Sequence, residues 1–482
     1  MVFSSHLFLF YFLPTALALY YTCPWRWRSL LLTVLSYIFY GWANPWFVFL
    51  MLVSTAIDYC AGQFICGRWT IPWCRGEEPA GPGLPSARQR KTALVASMVS
   101  NLSLLGFFKY LGFAQTNLNY LLHLFGHEGV RVFEVVLPVG ISFYTFQSMS
   151  YAIDLYRGHA KPARDFLDFA CYVSLYPQLV AGPIVRYQDL ADQLVERQHT
   201  VGQFAQGVLF LAFGLAKKIL LANPMGEVAD AAFGASALTP LQAWTGVLGY
   251  AFQIYFDFSG YSDMAIGLGL MLGFRFKRNF DLPYISQSIT EFWRRWHISL
   301  STWLRDNLYI PLGGNRLGPR RTYINLAAVM LLGGLWHGAQ WTFVIWGAIH
   351  GALLALERWH GKTTLYARLP RPLPTLLTFG LVLITWVFFR AESLPAALQY
   401  LGSMFGLGPR PAATQLLDAV LFAPQYLLIF AVCVLVHWLK WDTWDIAYDL
   451  KPVRLVGAAA ALTCSVAVLF TQSYNPFLYF RF

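Results

Sequence analysis

Long apolar stretches that lack Asp, Glu, Lys and Arg recur from one end of the chain to the other. A helix needs about 20 apolar residues to cross the ~30 Å hydrocarbon core of a bilayer. Candidate stretches cover residues 7–25, 93–108, 135–153, 198–216, 231–256, 373–389, 419–439 and 455–480. We interpret the first as a retained membrane helix, because it has neither a basic leader nor a small-residue cleavage site.

Two further regions predict interrupted membrane elements. Residues 29–67 contain one acid, Asp58, and are broken at Gly41-Trp42-Ala43-Asn44-Pro45, so we expect two passes joined by a tight turn. Residues 169–185 carry Pro177 and Gly182-Pro183, which favours a bent or re-entrant segment. The pattern predicts an all-α, polytopic protein with roughly 11 to 13 membrane helices, some of them short or re-entrant.

Residues 275–321 differ from the rest of the chain. They hold nine Lys or Arg and three Asp or Glu, interleaved with Trp293, Trp296, Trp303 and Tyr309. Such interleaving is typical of amphipathic helices that lie at a membrane surface. Two interpretations remain open: the segment only anchors the protein to the membrane, or some of its bases meet an anionic cofactor from the cytosol.

Composition supports a membrane protein. Hydrophobic residues make up 57% of the 482 residues and charged residues 12%, whereas soluble proteins carry roughly 25% charged residues. The net charge of +11 reflects bases between apolar runs and not one continuous face, which argues against nucleic-acid binding. By the positive-inside rule, the loop 67–91 is cytoplasmic and the N-terminus lies outside. No separate soluble domain is indicated, so we expect a single membrane domain over residues 1–482.

The run 322–356 contains no charged residue and carries Gly333-Gly334-Leu335-Trp336-His337-Gly338-Ala339 near its middle. It is too long for one span, so the glycines predict a broken helix that brings His337 to membrane depth. A buried imidazole stays neutral and is able to take a proton from a hydroxyl as a general base. The alternative is a histidine that only links two helices.

Other polar residues carry weaker signals. His297 either supports the site or lies at the interface, while His350 is interpreted as a helix-packing residue, because 13 residues of straight helix would place it roughly 20 Å from His337. His437 is interpreted as interfacial. Asp154, Asp257 and Asp263 leave a transporter as an alternative. The seven Cys have no zinc-ligand spacing, and we expect no metal.

Ordered motifs cover nearly the whole chain. They are Met1–Ser5, Leu137–Gln147, Gln178–Arg186, Gly214–Lys218, Asp257–Asp263, Phe292–Leu300, Arg305–Asp306, Tyr309–Gly314 and Gly334–Gly338. With these motifs the sequence resembles the membrane-bound O-acyltransferases, and within them the bacterial alginate O-acetylation branch.

The resemblance implies a ring of tilted helices around a thin central region, with a tunnel that leads to the catalytic histidine. That histidine falls on His337, and the second characteristic histidine falls on His297. The resemblance also implies a bacterial inner-membrane enzyme that takes acetyl groups from a cytosolic thioester. A periplasmic acetyltransferase partner would then esterify an exopolysaccharide, alginate-like or cellulose. Peptidoglycan O-acetylation and teichoic-acid D-alanylation remain alternative activities, because those branches share the motifs.

The resulting hypothesis assigns a role to each residue. Acetyl-CoA docks its phosphates near Arg294, Arg295 and Arg305, and His337 deprotonates the acceptor hydroxyl. Trp336 supports the histidine, and Asp306 orients a ring or anchors an arginine. A transient acyl-histidine, a polysaccharide or lipid transporter without chemistry, and a scaffold for the periplasmic enzyme remain open alternatives.

Overall fold

The computed structural model describes residues 1–68, 85–361, 364–370, 372–409, 411, 413–472 and 475, and these residues form helices and no strand. The first nine helices are α1 Leu7–Thr22, α2 Arg28–Gly41, α3 Trp46–Ile65, α4 Ala87–Leu124, α5 Ile141–Arg157, α6 Phe166–Ser174, α7 Tyr187–Val195, α8 Val201–Phe233 and α9 Pro240–Met271. Then follow α10 Ile289–Arg295, α11 Ile298–Leu304, α12 Gly318–His337, α13 Trp341–Trp359, α14 Leu373–Arg390, α15 Leu394–Met404, α16 Gln415–Leu421, α17 Pro424–Trp438, α18 Thr443–Ala447 and α19 Pro452–Thr471.

Several helices are long and apolar enough to cross a bilayer. Within the described ranges there are five, namely α3, α4, α8, α14 and α19, or up to six if α16 and α17, bent by 44°, form one span. This confirms an all-α, multi-pass membrane protein. The expected 11 to 13 elements include short and re-entrant ones that length and hydropathy do not identify, so the higher count stays a prediction.

The break predicted within residues 29–67 is confirmed, because α2 ends at Gly41 and α3 begins at Trp46. Helix α6 ends at Ser174, before Pro177, so no continuous helix runs through residues 169–185. Much of the loop predicted to be cytoplasmic, residues 69–84, lies outside the described residues, as do most residues beyond Gln472.

The predicted stretch 231–256 is wrong in its boundaries. Helix α8 continues through Lys217 and Lys218 to Phe233, and the chain re-enters a helix only at Pro240. The two lysines do not end the helix because each finds an acid on α9. Lys217 Nζ lies 2.7 Å from Asp263 Oδ2, and Lys218 Nζ lies 2.8 Å from Asp257 Oδ1.

Contacts divide the chain into two compact units. The first comprises Met1–Val208 and Ala265–Lys277. Its core includes a cluster of aromatic rings, in which Phe12 and Tyr176 have centroids 5.3 Å apart. Asp58 is buried in this unit and accepts hydrogen bonds from Ser97 Oγ at 2.6 Å and from Asn101 Nδ2 at 2.8 Å. The acid that interrupts an apolar stretch is therefore satisfied by polar partners.

The second unit comprises Leu209–Met264 and Arg278–Phe482. Its parts of α8 and α9 approach closely at two glycines: a Cβ atom added to Gly214 would lie 2.6 Å from the Gly260 carbonyl oxygen. This close packing brings the two lysine–aspartate pairs together. All residues proposed for acyl transfer lie in this unit. A single domain over residues 1–482 stays a prediction.

Candidate functional site

A helical hairpin, formed by α12 and α13, carries His337 at its turn. Helix α12 ends at His337, and α13 begins at Trp341, which confirms the predicted helix break. The two helices pack closely because two glycines face the opposite backbone. A Cβ atom on Gly334 would lie 2.3 Å from the Phe343 carbonyl oxygen, and one on Gly347 would lie 2.3 Å from that of Met330. The glycines thus fix the tip of the hairpin and the position of His337.

His337 is nearly enclosed by aromatic rings. The residue is 5% exposed. Its ring centroid lies 5.0 Å from that of Trp336, 5.3 Å from that of Trp346 and 5.1 Å from that of Phe389. It is also the last residue of α12, where the partial negative charge of the helix end favours a positive group. The location therefore stabilises the imidazolium that forms when a histidine acts as a base. The depth of His337 in the bilayer stays a prediction.

A cavity of about 510 Å³ reaches His337. Its volume falls within the range of roughly 300–1,000 Å³ that is typical of small-molecule sites. The wall is mostly apolar and includes Leu300, Leu304, Val329, Met330, Trp346 and Leu354, from α10 to α13 and the turns beside them. Arg294 and Arg305 also line it. The cavity therefore combines a histidine, an apolar interior and two cations.

The predicted arginines do not share one environment. Arg294 lines the cavity and makes no ion pair with any residue that the structure describes. Arg305 also lines the cavity, and Asp306 holds its guanidinium through Nε at 2.7 Å and Nη2 at 3.2 Å. Asp306 thus anchors an arginine, one of its two predicted roles. Arg295 is not brought to the cavity and instead pairs with Glu291 at 2.9 Å and Asp281 at 3.2 Å.

His297 is fully buried at the turn between α10 and α11 and does not line the cavity. Its backbone is left-handed, with φ of 44°, a conformation that non-glycine residues adopt at a cost. Asn279 Oδ1 lies 3.2 Å from the ring Nδ1 and also accepts from Ser299 Oγ at 2.9 Å, while Asn279 Nδ2 donates to Ser262 Oγ at 3.0 Å. This pattern assigns the proton of the ring to Nδ1.

The segment that carries His297 lies outside the long apolar helices. Burial lowers the pKa of His297 to about 3, so the ring is neutral at physiological pH. It contacts Trp336, whose centroid is 6.0 Å away, and Trp336 in turn contacts His337. Trp336 therefore lies between the two predicted histidines, and His297 is placed to position Trp336.

Two other histidines are structural. His350 Nδ1 accepts from Trp293 Nε1 at 3.2 Å, and Nε2 lies 3.1 Å from Thr385 Oγ1, as expected for a helix-packing residue. The assumption that a straight helix separates His337 from His350 was wrong, because the chain reverses direction after His337. The ring of Trp346 contacts the rings of both His337 and His350. His437 is not interfacial: it is fully buried and accepts from the backbone N–H of Tyr284 at 3.1 Å.

The aromatic residues of the basic segment also differ from the expectation of a simple surface anchor. Trp296 and Trp303 are buried, and the ring of Trp296 packs 5.0 Å from that of Trp386. From Arg278 onward the segment therefore belongs to the fold of the second unit, and its bases Arg294 and Arg305 are exposed.

Sequence reasoning missed Glu357, a buried acid of α13. Its carboxylate accepts from the backbone N–H groups of Ile289 at 2.7 Å and Thr290 at 2.9 Å, at the start of α10. A negative charge there stabilises the helix that carries Arg294. The available signal was an acid at the end of an uncharged run, but its partner is 67 residues away in the chain.

The three aspartates on which the alternative of a transporter rested each have a partner close by in space. Asp257 and Asp263 are paired with the lysines of α8, and Asp154 Oδ2 accepts from the Gln188 backbone N–H at 3.4 Å. Buried charges in proteins are ordinarily paired in this way, and such a pair does not require an ion pathway. Among the described residues, no three His, Cys, Asp or Glu lie close enough together to hold a metal ion.

Comparison with known proteins adds independent information. Residues 161–390, which include every predicted site residue, match the membrane-bound O-acyltransferase family. The chain is 44% identical to a probable alginate O-acetylase of Azotobacter vinelandii and 45% identical to one of Pseudomonas putida, each over the full length of both proteins. It is also 32% identical to a peptidoglycan O-acetyltransferase of Helicobacter pylori, over 100% of this chain and 98% of that protein.

Proposed function

Because the chain belongs to the membrane-bound O-acyltransferase family and is a multi-pass membrane O-acyltransferase, we propose that it transfers acetyl groups from acetyl-CoA toward an alginate-like exopolysaccharide. The observation that carries the proposal is the cavity in which His337, at a helix end, shares an apolar space with Arg294 and Arg305. An apolar space accommodates an acetyl thioester, and guanidinium groups bind the phosphates of its carrier.

The donor enters with its charged part near the two arginines. Guanidinium groups bind phosphate oxygens through paired hydrogen bonds, and Arg294, exposed at the cavity and without an ion pair to a described residue, offers them. Arg305 is also exposed at the cavity, but Asp306 occupies its Nε and Nη2, so it faces the phosphates with Nη1. The pantetheine arm and the acetyl thioester then occupy the apolar part between Leu300, Met330 and Trp346. Arg295 holds α10 in place through Glu291 and Asp281.

The chemical step requires one base. His337 takes the proton of the acceptor hydroxyl as its oxygen attacks the thioester carbonyl carbon. The carbon–oxygen bond forms, the carbon–sulfur bond breaks, and the leaving thiolate takes the proton back from His337 to become the CoA thiol, which regenerates the neutral imidazole. The end of α12 stabilises the transient positive charge on His337. A general base of this kind contributes about 10²–10⁴-fold to the rate.

The polymer is proposed from the relatives. The two probable alginate O-acetylases match this chain over their full lengths at 44% and 45% identity, against 32% for the peptidoglycan O-acetyltransferase. The higher identity favours an alginate-like acceptor over peptidoglycan. We place the protein in the bacterial inner membrane, where it hands the acetyl group to a periplasmic acetyltransferase that completes esterification of the polymer.

The test uses the purified full-length protein with acetyl-CoA labelled in the acetyl group. We expect release of the CoA thiol and transfer of label to a hydroxyl acceptor, and we expect both to be lost in His337→Ala at equal protein recovery. In cells, loss of the gene should remove acetyl esters from the exopolysaccharide. Parental acetylation with His337→Ala would reject the catalytic role and favour a scaffold, and failure to turn over any acyl thioester would favour a transporter.

A further inference from the structure

The first unit contains a second cavity, of about 390 Å³, beside the connection between α1 and α2. Its lining comes from that connection, from the start of α6 and from the end of α7, and includes Trp25, Arg26, Arg164 and Arg197. None of its lining residues lines the cavity at His337, so an inference from this pocket does not depend on acyl transfer.

Arg197 is the unusual residue of this pocket. It is 7% exposed, and neither Nε nor Nη1 has a hydrogen-bond partner among the described residues. Its guanidinium instead lies over two aromatic rings, 5.1 Å from the centroid of Trp25 and 4.7 Å from that of Phe274. A buried guanidinium with two unsatisfied N–H groups, and with no carboxylate partner among the described residues, is costly unless an anion reaches it.

The acids of the pocket are already engaged and do not serve as that anion. Asp168 Oδ2 pairs with Arg164 Nη2 at 2.8 Å. Asp165 Oδ1 accepts from the Asp168 backbone N–H at 2.8 Å and thereby caps α6, while Oδ2 lies 3.7 Å from Arg164 Nε. Three arginines and two aspartates line the cavity, so its net formal charge is +1. Both aspartates pair with Arg164, which leaves Arg26 and Arg197 as the cations that are able to meet an anion.

The rim of the pocket has the character of a membrane interface. Trp25 and Trp27 are 45% and 48% exposed, and Arg26 lies 5.6 Å from the ring centroid of Trp27. Exposed Trp beside Arg is the arrangement that proteins use at the level of lipid headgroups. An anion that is supplied from this level is a phospholipid headgroup, and arginine is the residue best suited to bind its phosphate.

We propose that this pocket binds a singly charged phosphate group, presented by the headgroup of an anionic phospholipid. The formal charge of the pocket matches one phosphodiester, and the volume lies in the range of roughly 300–1,000 Å³ that accommodates small ligands. The phosphate meets Arg197 inside and Arg26 at the rim, while the acyl chains stay outside beside Trp25 and Trp27. A bound lipid then holds the connection between α1 and α2 against the start of α6.

The test is native mass spectrometry of the full-length protein in detergent, titrated separately with three probes. The probes are phosphatidylglycerol, diacylglycerol with the same acyl chains, and inorganic phosphate. The variants are Arg197→Gln and Arg26→Gln. Arg88→Gln is the matched control, because Arg88 is an exposed arginine of the same unit that does not line the pocket.

We expect the parent and Arg88→Gln to retain phosphatidylglycerol and not diacylglycerol. Arg197→Gln should weaken retention on the order of tenfold, because it removes a buried charge-assisted contact. Arg26→Gln should weaken it about threefold, since Arg26 is exposed. Arg26→Gln keeps the test decisive if Arg197→Gln does not fold.

Three results would overturn the proposal or part of it. Equal retention of phosphatidylglycerol by the parent and both pocket variants would reject the site. Equal retention of diacylglycerol would show that only the apolar rim binds. Binding of inorganic phosphate alone, lost in Arg197→Gln, would keep the phosphate site and reject the lipid as its source.

Discussion

His337 and His350 are both buried, both lie in the same uncharged run, and both contact the ring of Trp346. Their surroundings differ. The ring nitrogens of His350 are engaged by Trp293 and Thr385, and because Trp293 Nε1 is only a donor, the proton of His350 is on Nε2. His337 ends its helix and lines a cavity of about 510 Å³. Burial alone therefore does not distinguish the two histidines, whereas access to a cavity does.

The largest effect is expected from matched glutamine variants of the two histidines. His337→Gln should lower the rate of acyl transfer by about 10²–10⁴-fold, because the amide side chain is not a base. His350→Gln should keep most of the activity and lower the thermal midpoint instead, since its hydrogen bonds to Trp293 and Thr385 are disturbed. Acetyl transfer from labelled acetyl-CoA and a melting curve of each variant separate the two effects. An inactive His350→Gln beside an active His337→Gln would assign the role of base to His350 instead.

The next effect concerns His297, which reaches His337 only through Trp336. His297→Asn should reduce kcat by roughly ten- to a hundredfold, because loss of the ring displaces Trp336 and His337 beside it. Asparagine tolerates the left-handed backbone at this position, so His297→Asn should be more stable than His297→Ala. Kinetics and melting curves of both variants test this, and a fully active His297→Asn would make the residue purely structural.

A smaller effect should distinguish two neighbouring arginines. Arg294→Gln should raise KM for acetyl-CoA about tenfold with little change in kcat, because Arg294 lines the cavity. Arg295→Gln should mainly lower stability, because Arg295 pairs with Glu291 and Asp281. Equal increases of KM in both variants would show that donor binding extends to Arg295.

The smallest effect on activity is expected from Glu357, on the same helix as His350. Glu357→Gln should reduce stability by about 1–2 kcal/mol, because a charged acceptor at the start of α10 becomes neutral. Activity should change by less than about threefold, since Glu357 does not line the cavity. The control is Glu392→Gln, an exposed acid of the same unit; equal melting curves for the two variants would contradict the capping role.

Hydropathy predicted the class of the protein well because it is a local property. Stretches such as 373–389 became helices with nearly the predicted bounds, as in Leu373–Arg390. The predicted helix boundaries were wrong where a residue distant in sequence neutralised a charge that locally indicated the end of a helix. Lys217 and Lys218 looked like the end of a membrane helix, yet the chain remains helical because Asp263 and Asp257 pair with them.

The sequence by itself determined the all-α membrane class, the helix break at the Gly-rich turn and His337 as the residue to examine, because run length, glycine content and the absence of charge are all read within a short window. Only the tertiary structure decided which arginines line the cavity, that both ring nitrogens of His350 are hydrogen-bonded, and that Glu357 caps α10. Those outcomes depend on which residues that are distant in sequence come into contact, and the packing of the helices determines these contacts. Arg294 and Arg295 are adjacent in the chain, but one faces the cavity and the other a pair of acids.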